Sequence, residues 1–159
     1  MFDAEVTHAL RFLNPHFYAC HPSGATFSIE ETKKDGQACL DVTTPLPCIH
    51  VQNPDKHPYG LLQLQNCADH IILKYHFDSN TWDIHIFEFK KTITKDRWKK
   101  KILPQFHGGL QNTYAVFCIS KHRTYKISMY TADTVKMPAK ILWQSKSCFS
   151  AKVQKVPTG

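Results

Sequence analysis

The chain has 159 residues, 42% of them hydrophobic and 21% charged, a balance that excludes wholesale disorder and fits a single domain over residues 1–159. No apolar run approaches the ~18 residues of a membrane span, and Met1-Phe2-Asp3-Ala4-Glu5 carries acids where a signal peptide has apolar residues. A cytoplasmic protein with no membrane partner is expected. The formal charge of +7 is unevenly spread: residues 1–96 hold eight Lys/Arg and twelve Asp/Glu (−4), whereas residues 97–159 hold twelve and one (+11). A basic back half of this strength points to a polyanionic partner, nucleic acid above all.

In chain order, Val6, Leu10 and Leu13 recur at helical spacing between Asp3 and Leu13, and Asn14-Pro15 ends that helix. Short strands are expected near Thr26–Glu31 and Ala38–Thr43, with a turn around Lys34-Asp35-Gly36. Pro45, Pro47, Pro54 and Pro58 predict a loop over residues 45–60. Asp69–Phe77 and Thr81–Ile93 are rich in β-branched and aromatic residues and flank the turn cluster Asp78-Ser79-Asn80. They read as a long hairpin, apolar on both faces, covered by helices on one side or both. Thr94 is placed to N-cap a helix beginning at Lys95, on which Trp98, Ile102, Phe106 and Leu110 recur every four residues. Pro104 and Gly108-Gly109 interrupt that stripe, predicting a kink near Lys100–Pro104 and a resumption over Asn112–Ser120. Thr124–Tyr130 reads as the next strand, and residues 141–156 as irregular terminal strands. The expected class is α/β with a mixed sheet.

Six cysteines (Cys20, Cys39, Cys48, Cys67, Cys118 and Cys148) include no C-x-x-C pair, so reduced thiols are expected. Among the ten histidines, Cys20-His21 and Cys48-x-His50 come nearest to zinc-ligand pairs, and neither spacing repeats.

The chemistry concentrates at the open end of the hairpin. Glu88 and Lys90 are one residue apart, so on a strand both project from one face while Phe87 and Phe89 take the other. Charge on a central strand costs stability unless it has partners or a task. With the turn centred on Ser79, Asp69 lies opposite residue 89, beside Glu88 or diagonal to it. Two carboxylates at a sheet edge suit Mg²⁺ or Mn²⁺, which takes one or two protein carboxylates and fills its other positions with water and phosphate oxygens. The Lys90 ammonium is placed to orient an attacking water or to stabilise the phosphate as charge builds on it. Lys90, Lys91, Lys95, Arg97, Lys99, Lys100 and Lys101, against the single acid Asp96, give +6 over twelve residues immediately after these groups. That density suits phosphate contacts. His107 and His122 lie near in sequence and read as surface or packed residues.

Asp69, a gap of eighteen residues, Glu88-Phe89-Lys90 and a following helix with Gln105 together resemble the PD-(D/E)xK nuclease superfamily over about residues 66–131. The segment Asn66-Cys67-Ala68-Asp69 leads into the first strand of that pattern, with Ala68 where the family name has proline. The resemblance implies a restriction-endonuclease-like core of helix, strands, hairpin, helix and strand, and metal-dependent cleavage of phosphodiesters, DNA more than RNA. It implies Asp69, Glu88 and the backbone carbonyl of Phe89 as metal ligands, with Glu5 as a further candidate from the first helix. Lys90 becomes the water-positioning amine and Gln105 the matching glutamine of the helix. One branch of the family carries a tyrosine four residues after that glutamine; Gly109 stands here. A homodimer cutting both strands is one expected form. The rival reading is a non-catalytic binding or inhibitor protein on the same fold, of phage or mobile-element type, gripping nucleic acid or an acidic protein through its basic surface.

Overall fold

The computed structural model describes residues 2, 4–11, 15, 18–31, 38–52, 67–90, 93–120, 123–133 and 150–154. In chain order these form α1 (Ala4–Leu10), β1 (Tyr18–His21), β2 (Thr26–Glu31), β3 (Ala38–Thr43), β4 (Cys48–Gln52), β5 (His70–His76) and β6 (Thr81–Lys90). Then follow α2 (Lys95–Arg97), a π-helical turn (Trp98–Ile102), α3 (Leu103–Ser120), β7 (Arg123–Asp133) and β8 (Ser150–Gln154). The class is mixed α/β. One sheet has the order β1-β4-β5-β6-β7 and a second the order β2-β3-β8. All pairings are antiparallel except β6–β7. A parallel pair needs a crossover, and the helical arm from α2 to α3 supplies it. The arm therefore starts at the C-terminal end of β6 and runs back along that strand.

Side-chain alternation decides which residues the two faces of the large sheet bury. Ile71, Leu73 and Tyr75 of β5 lie opposite Ile86, Ile84 and Trp82 of β6, and this face packs on Val6 and Leu10 of α1 and on Ile102 and Phe106 of the helical arm. Each fully buried Ile or Leu contributes about 1.5–3 kcal/mol. Ile72, Phe87 and Phe89 point the other way, against Ile29, Leu40 and Val42 of the small sheet. Among the described residues helices cover one face, within the expected range of one side or both. The small sheet is apolar on one side, and burying that side against the open face of the large sheet removes both from water.

Four expectations need correction. The proline-rich stretch 45–60 was expected to be a loop, yet Cys48–Gln52 is β4, paired to both β1 and β5. Its prolines bracket the strand rather than interrupt it, and the Pro47 carbonyl accepts from Tyr75 N at 3.0 Å. The hairpin loop is four residues, 77–80, because His76 pairs with Thr81. Asn80 takes the left-handed conformation there (φ 51°), which asparagine tolerates better than most residues. The register centre therefore falls between Asp78 and Ser79, and Asp69 extends to a position opposite Glu88 rather than Phe89.

Helix α3 is continuous from Leu103 and does not wait until Asn112. The disturbance near Pro104 takes the form of the π-turn, in which Leu103 N donates to Trp98 O. Gly109 lets α3 approach the sheet: a Cβ there would meet Ile86 Cγ2 at 3.2 Å and Ala68 Cβ at 3.5 Å. Fourth, Trp98, the first member of the predicted apolar stripe, is 36% exposed, while Ile102 and Phe106 are fully buried. The expected turn at Lys34-Asp35-Gly36, and residues 141–149 and 155–156 of the expected terminal strands, lie outside the described residues. Among the described residues, no helix is long and apolar enough to cross a membrane.

Candidate active site

Asp69 and Glu88 lie two positions beyond Ile71 and Ile86 on the helix-covered face, and Lys90 lies two beyond Glu88. The apolar face thus ends in three charged groups. Asp69 N donates to Glu88 Oε2 at 3.2 Å, and Phe89 N donates to Asp69 Oδ2 at 2.9 Å. Lys90 Nζ forms an ion pair with Glu88 Oε1. Each carboxylate is therefore tied to the opposite strand, and the Lys90 ammonium sits on Glu88. Glu88 is 1% exposed and Asp69 6%, while the Lys90 side chain keeps 14%. Burying two carboxylates together costs several kcal/mol per ion, which only close pairing and hydrogen bonds offset.

Gln105 is half-buried on α3, one turn before Gly109. Residues four apart share a helix face, and Gly109 rests on Ile86 and Ala68. Gln105 therefore occupies the stretch of α3 nearer the Glu88 end of the sheet. Farther along α3, Asn112 donates through Nδ2 to Cys67 Sγ at 3.2 Å. That bond fixes the segment Cys67–Asp69 against the helix. Cys20, Cys39, Cys48 and Cys67 are reduced thiols outside any disulfide.

The basic run opens the helical arm. Thr94 caps it as expected, its Oγ1 accepting from Arg97 N at 3.2 Å. Lys95, Lys99, Lys100 and Lys101 are exposed and Arg97 is half-buried. Lys91 and His122 lie outside the described residues, and so does the side chain of Glu5, whose backbone belongs to α1. His107 is exposed on α3.

The opposite face of the hairpin carries polar residues that sequence reasoning did not single out. Lys74 and Asp83, cross-strand partners, form a 2.7 Å ion pair with both side chains 3% exposed, and His76 Nε2 lies 3.0 Å from the same Asp83 oxygen. Burial alone would raise the Asp83 pKa, but the Lys74 ammonium and His76 together hold it below the ordinary carboxylate value. His85 Nδ1 and the Tyr130 hydroxyl share a 2.9 Å hydrogen bond. His70 Nε2 lies 3.2 Å from the Glu30 carbonyl, which only accepts, so Nε2–H donates and Nδ1 is left as acceptor. His50 Nε2–H then donates to His70 Nδ1 at 3.1 Å. Burial, followed by the neighbouring His70 and His21, lowers the His50 pKa to about 3. The signal for this face was present in the sequence as polar residues at positions of one parity (His70, Lys74, His76; Asp83, His85) within apolar strands.

The oxygen donors at Asp69 and Glu88 fit a hard divalent cation in kind and number, since Mg²⁺ takes one or two protein carboxylates and keeps several waters. Among the described residues no group of three or more His, Cys, Asp or Glu side chains is arranged to hold a metal. Any such ion rests on two carboxylates and main-chain oxygen. Lys90 already places a positive charge against Glu88 at that point. Comparison with protein-family models, with curated proteins and with solved structures finds no match.

Proposed function

We propose that the chain is a Mg²⁺- or Mn²⁺-dependent nuclease with a restriction-endonuclease-like core, hydrolysing phosphodiester bonds in DNA. The observation that carries this reading is the meeting of Asp69, Glu88 and Lys90 at the charged end of an otherwise apolar face. The order α1, antiparallel β4-β5-β6, helical arm, parallel β7 supports it, because the family resemblance implies helix, strands, hairpin, helix and strand.

Asp69, Glu88 and the Phe89 carbonyl would hold the cation. A strand residue directs its N–H and C=O to the same flank, so the Phe89 carbonyl faces the side on which its N–H meets Asp69. The bound ion supplies positive charge that offsets charge building on the phosphate and acidifies water. Lys90 orients the water oxygen towards phosphorus and carries positive charge beside the breaking phosphorus–oxygen bond. Gln105 stands on the adjoining helix as a polar contact for water or phosphate. Lys95, Arg97, Lys99, Lys100 and Lys101 grip the flanking backbone without reading bases.

Incubation with plasmid, single-stranded DNA and RNA, each with Mg²⁺, Mn²⁺ or a chelator, tests the reading. Cleavage by the wild type should require divalent metal, and Glu88→Ala and Lys90→Ala should each abolish it while circular dichroism stays unchanged. Retained cleavage in both variants overturns the mechanism.

One observation favours a second reading, a non-catalytic binding protein on the same fold. Asp69 and Glu88 are almost closed to solvent, and the charge of Glu88 is met internally by Lys90. This reading predicts nucleic-acid or partner binding that persists in Asp69→Ala and in chelator, with no cleavage under any condition.

A further inference from the structure

The π-turn at the start of the helical arm presents an aromatic ring in the middle of the basic run. Trp98 is 36% exposed, although Ile102 and Phe106, the next members of the α-helical stripe to which it belongs by spacing, are fully buried. Its inner edge rests on Phe106, with ring centroids 6.0 Å apart and planes tilted by 59°. Phe106 is fully buried, so the indole is braced from below while part of it remains open to solvent. Arg97 precedes it, and the exposed Lys99, Lys100 and Lys101 follow. A π-turn inserts a residue into the helical repeat and often marks a functional position.

Its location follows from the topology. The arm starts at the C-terminal end of β6 and runs back over the sheet, with Gly109 resting on Ile86. At ~1.5 Å per helical residue and ~3.4 Å per strand residue, Trp98 lies roughly 9 Å beyond Glu88 in the direction in which β6 leaves the sheet. That is within reach of nucleotides flanking a phosphate held at Glu88. Lysines alone bind phosphates of any nucleic acid, single- or double-stranded. A solvent-facing indole among them adds a flat apolar surface that only an unstacked base can cover.

We infer that Trp98 is a stacking platform for an unpaired nucleobase beside the scissile phosphate, and that the substrate is single-stranded or splayed DNA at that position. The inference rests on the nuclease reading for the placement of the phosphate, while the stacking itself depends only on Trp98 and the cations around it.

The test is fluorescence anisotropy with a short labelled oligo(dT) and a duplex of equal length, both in chelator so that nothing is cut. Trp98→Ala should weaken oligo(dT) binding about 10-fold or more and leave duplex binding nearly unchanged. Trp98→Phe, which keeps a ring, should restore most of the loss. Lys99→Gln combined with Lys100→Gln should weaken both ligands alike and flatten the salt dependence. An unaltered thermal midpoint for Trp98→Ala shows that the fold is intact. Unchanged oligo(dT) affinity in Trp98→Ala, or an equal loss on duplex, overturns the inference. A wild type that binds oligo(dT) through Trp98 but cuts nothing with Mg²⁺ or Mn²⁺ overturns the nuclease reading alone.

Discussion

On the helix side of the β5–β6 hairpin, Ile71, Leu73, Tyr75, Trp82, Ile84 and Ile86 are all apolar, and charge enters only past them, at Asp69, Glu88 and Lys90. On the side facing the small sheet, charge and polarity run the length of the strands. Lys74 pairs with Asp83, His85 with Tyr130, and His50 with His70 and through it with Glu30. Both faces bury an ion pair, but the settings differ. Lys74 and Asp83 balance one positive against one negative charge, with a histidine beside them and both side chains sealed. At the other pair, Glu88 meets the Lys90 ammonium, which keeps some exposure to solvent, and a second carboxylate, Asp69, lies opposite it. A matched, sealed pair serves to join strands and layers. The proposal of a cation at Asp69 and Glu88 rather than at Asp83 rests on the second carboxylate there and on the solvent exposure that Lys90 keeps.

Substitutions should separate the two settings, the largest effect coming from the sealed pair. Asp83→Ala leaves the Lys74 ammonium buried without its partner and should destabilise the fold by about 3–5 kcal/mol, read by urea denaturation. Glu88→Gln should cost under about 1 kcal/mol or stabilise, because it relieves repulsion with Asp69 while Lys90 turns to solvent. Equal losses for the two would erase the distinction. The His50–His70 contact, continued to the small sheet through the Glu30 carbonyl, should make the fold acid-sensitive. The unfolded His50 takes up a proton below its ordinary pKa of 6.5, whereas the folded ring resists protonation until about pH 3. Stability present above pH 6.5 is therefore lost as pH falls, at about 1.4 kcal/mol per pH unit, or about 2 kcal/mol by pH 5. His50→Gln should flatten that slope between pH 7 and pH 5 in the same denaturation measurement. Gly109→Leu should cost about 1–3 kcal/mol by forcing α3 off Ile86 and Ala68, with reduced cleavage because the Asp69 segment moves with it. Thr94→Ala at the exposed cap should cost about 1 kcal/mol by thermal denaturation.

The hairpin, its three charged residues and the start of the helical arm were legible in the sequence because each rests on local rules. Period-two alternation puts Glu88 with Lys90, apolar runs flank a turn cluster, and Thr94 is a capping residue with Asp96 just inside the helix. What was not legible depended on packing between distant segments. Strand β4 hides among prolines that a local rule counts as breakers, although they sit outside its ladder. Gly108-Gly109 looks like a helix break until the sheet is seen to demand a close approach there. The small sheet as cover for the second face cannot be read from β2 or β3 alone, since an amphipathic strand does not say what it packs against. The register was missed by one residue because a four-residue loop and a turn centred on Ser79 look alike in sequence. That shift nevertheless brings Asp69 directly opposite Glu88, the closer of the two arrangements considered.

The central claim is that Asp69 and Glu88 together hold one divalent cation. Titration of the protein with Mn²⁺, followed by the loss of the free-ion electron paramagnetic resonance signal, measures it without reference to any substrate. The account predicts one site per chain, lost in Asp69→Asn and in Glu88→Gln and kept in Asp83→Asn. Absence of a site in the wild type, or a site unchanged by both of the first two substitutions, would contradict it.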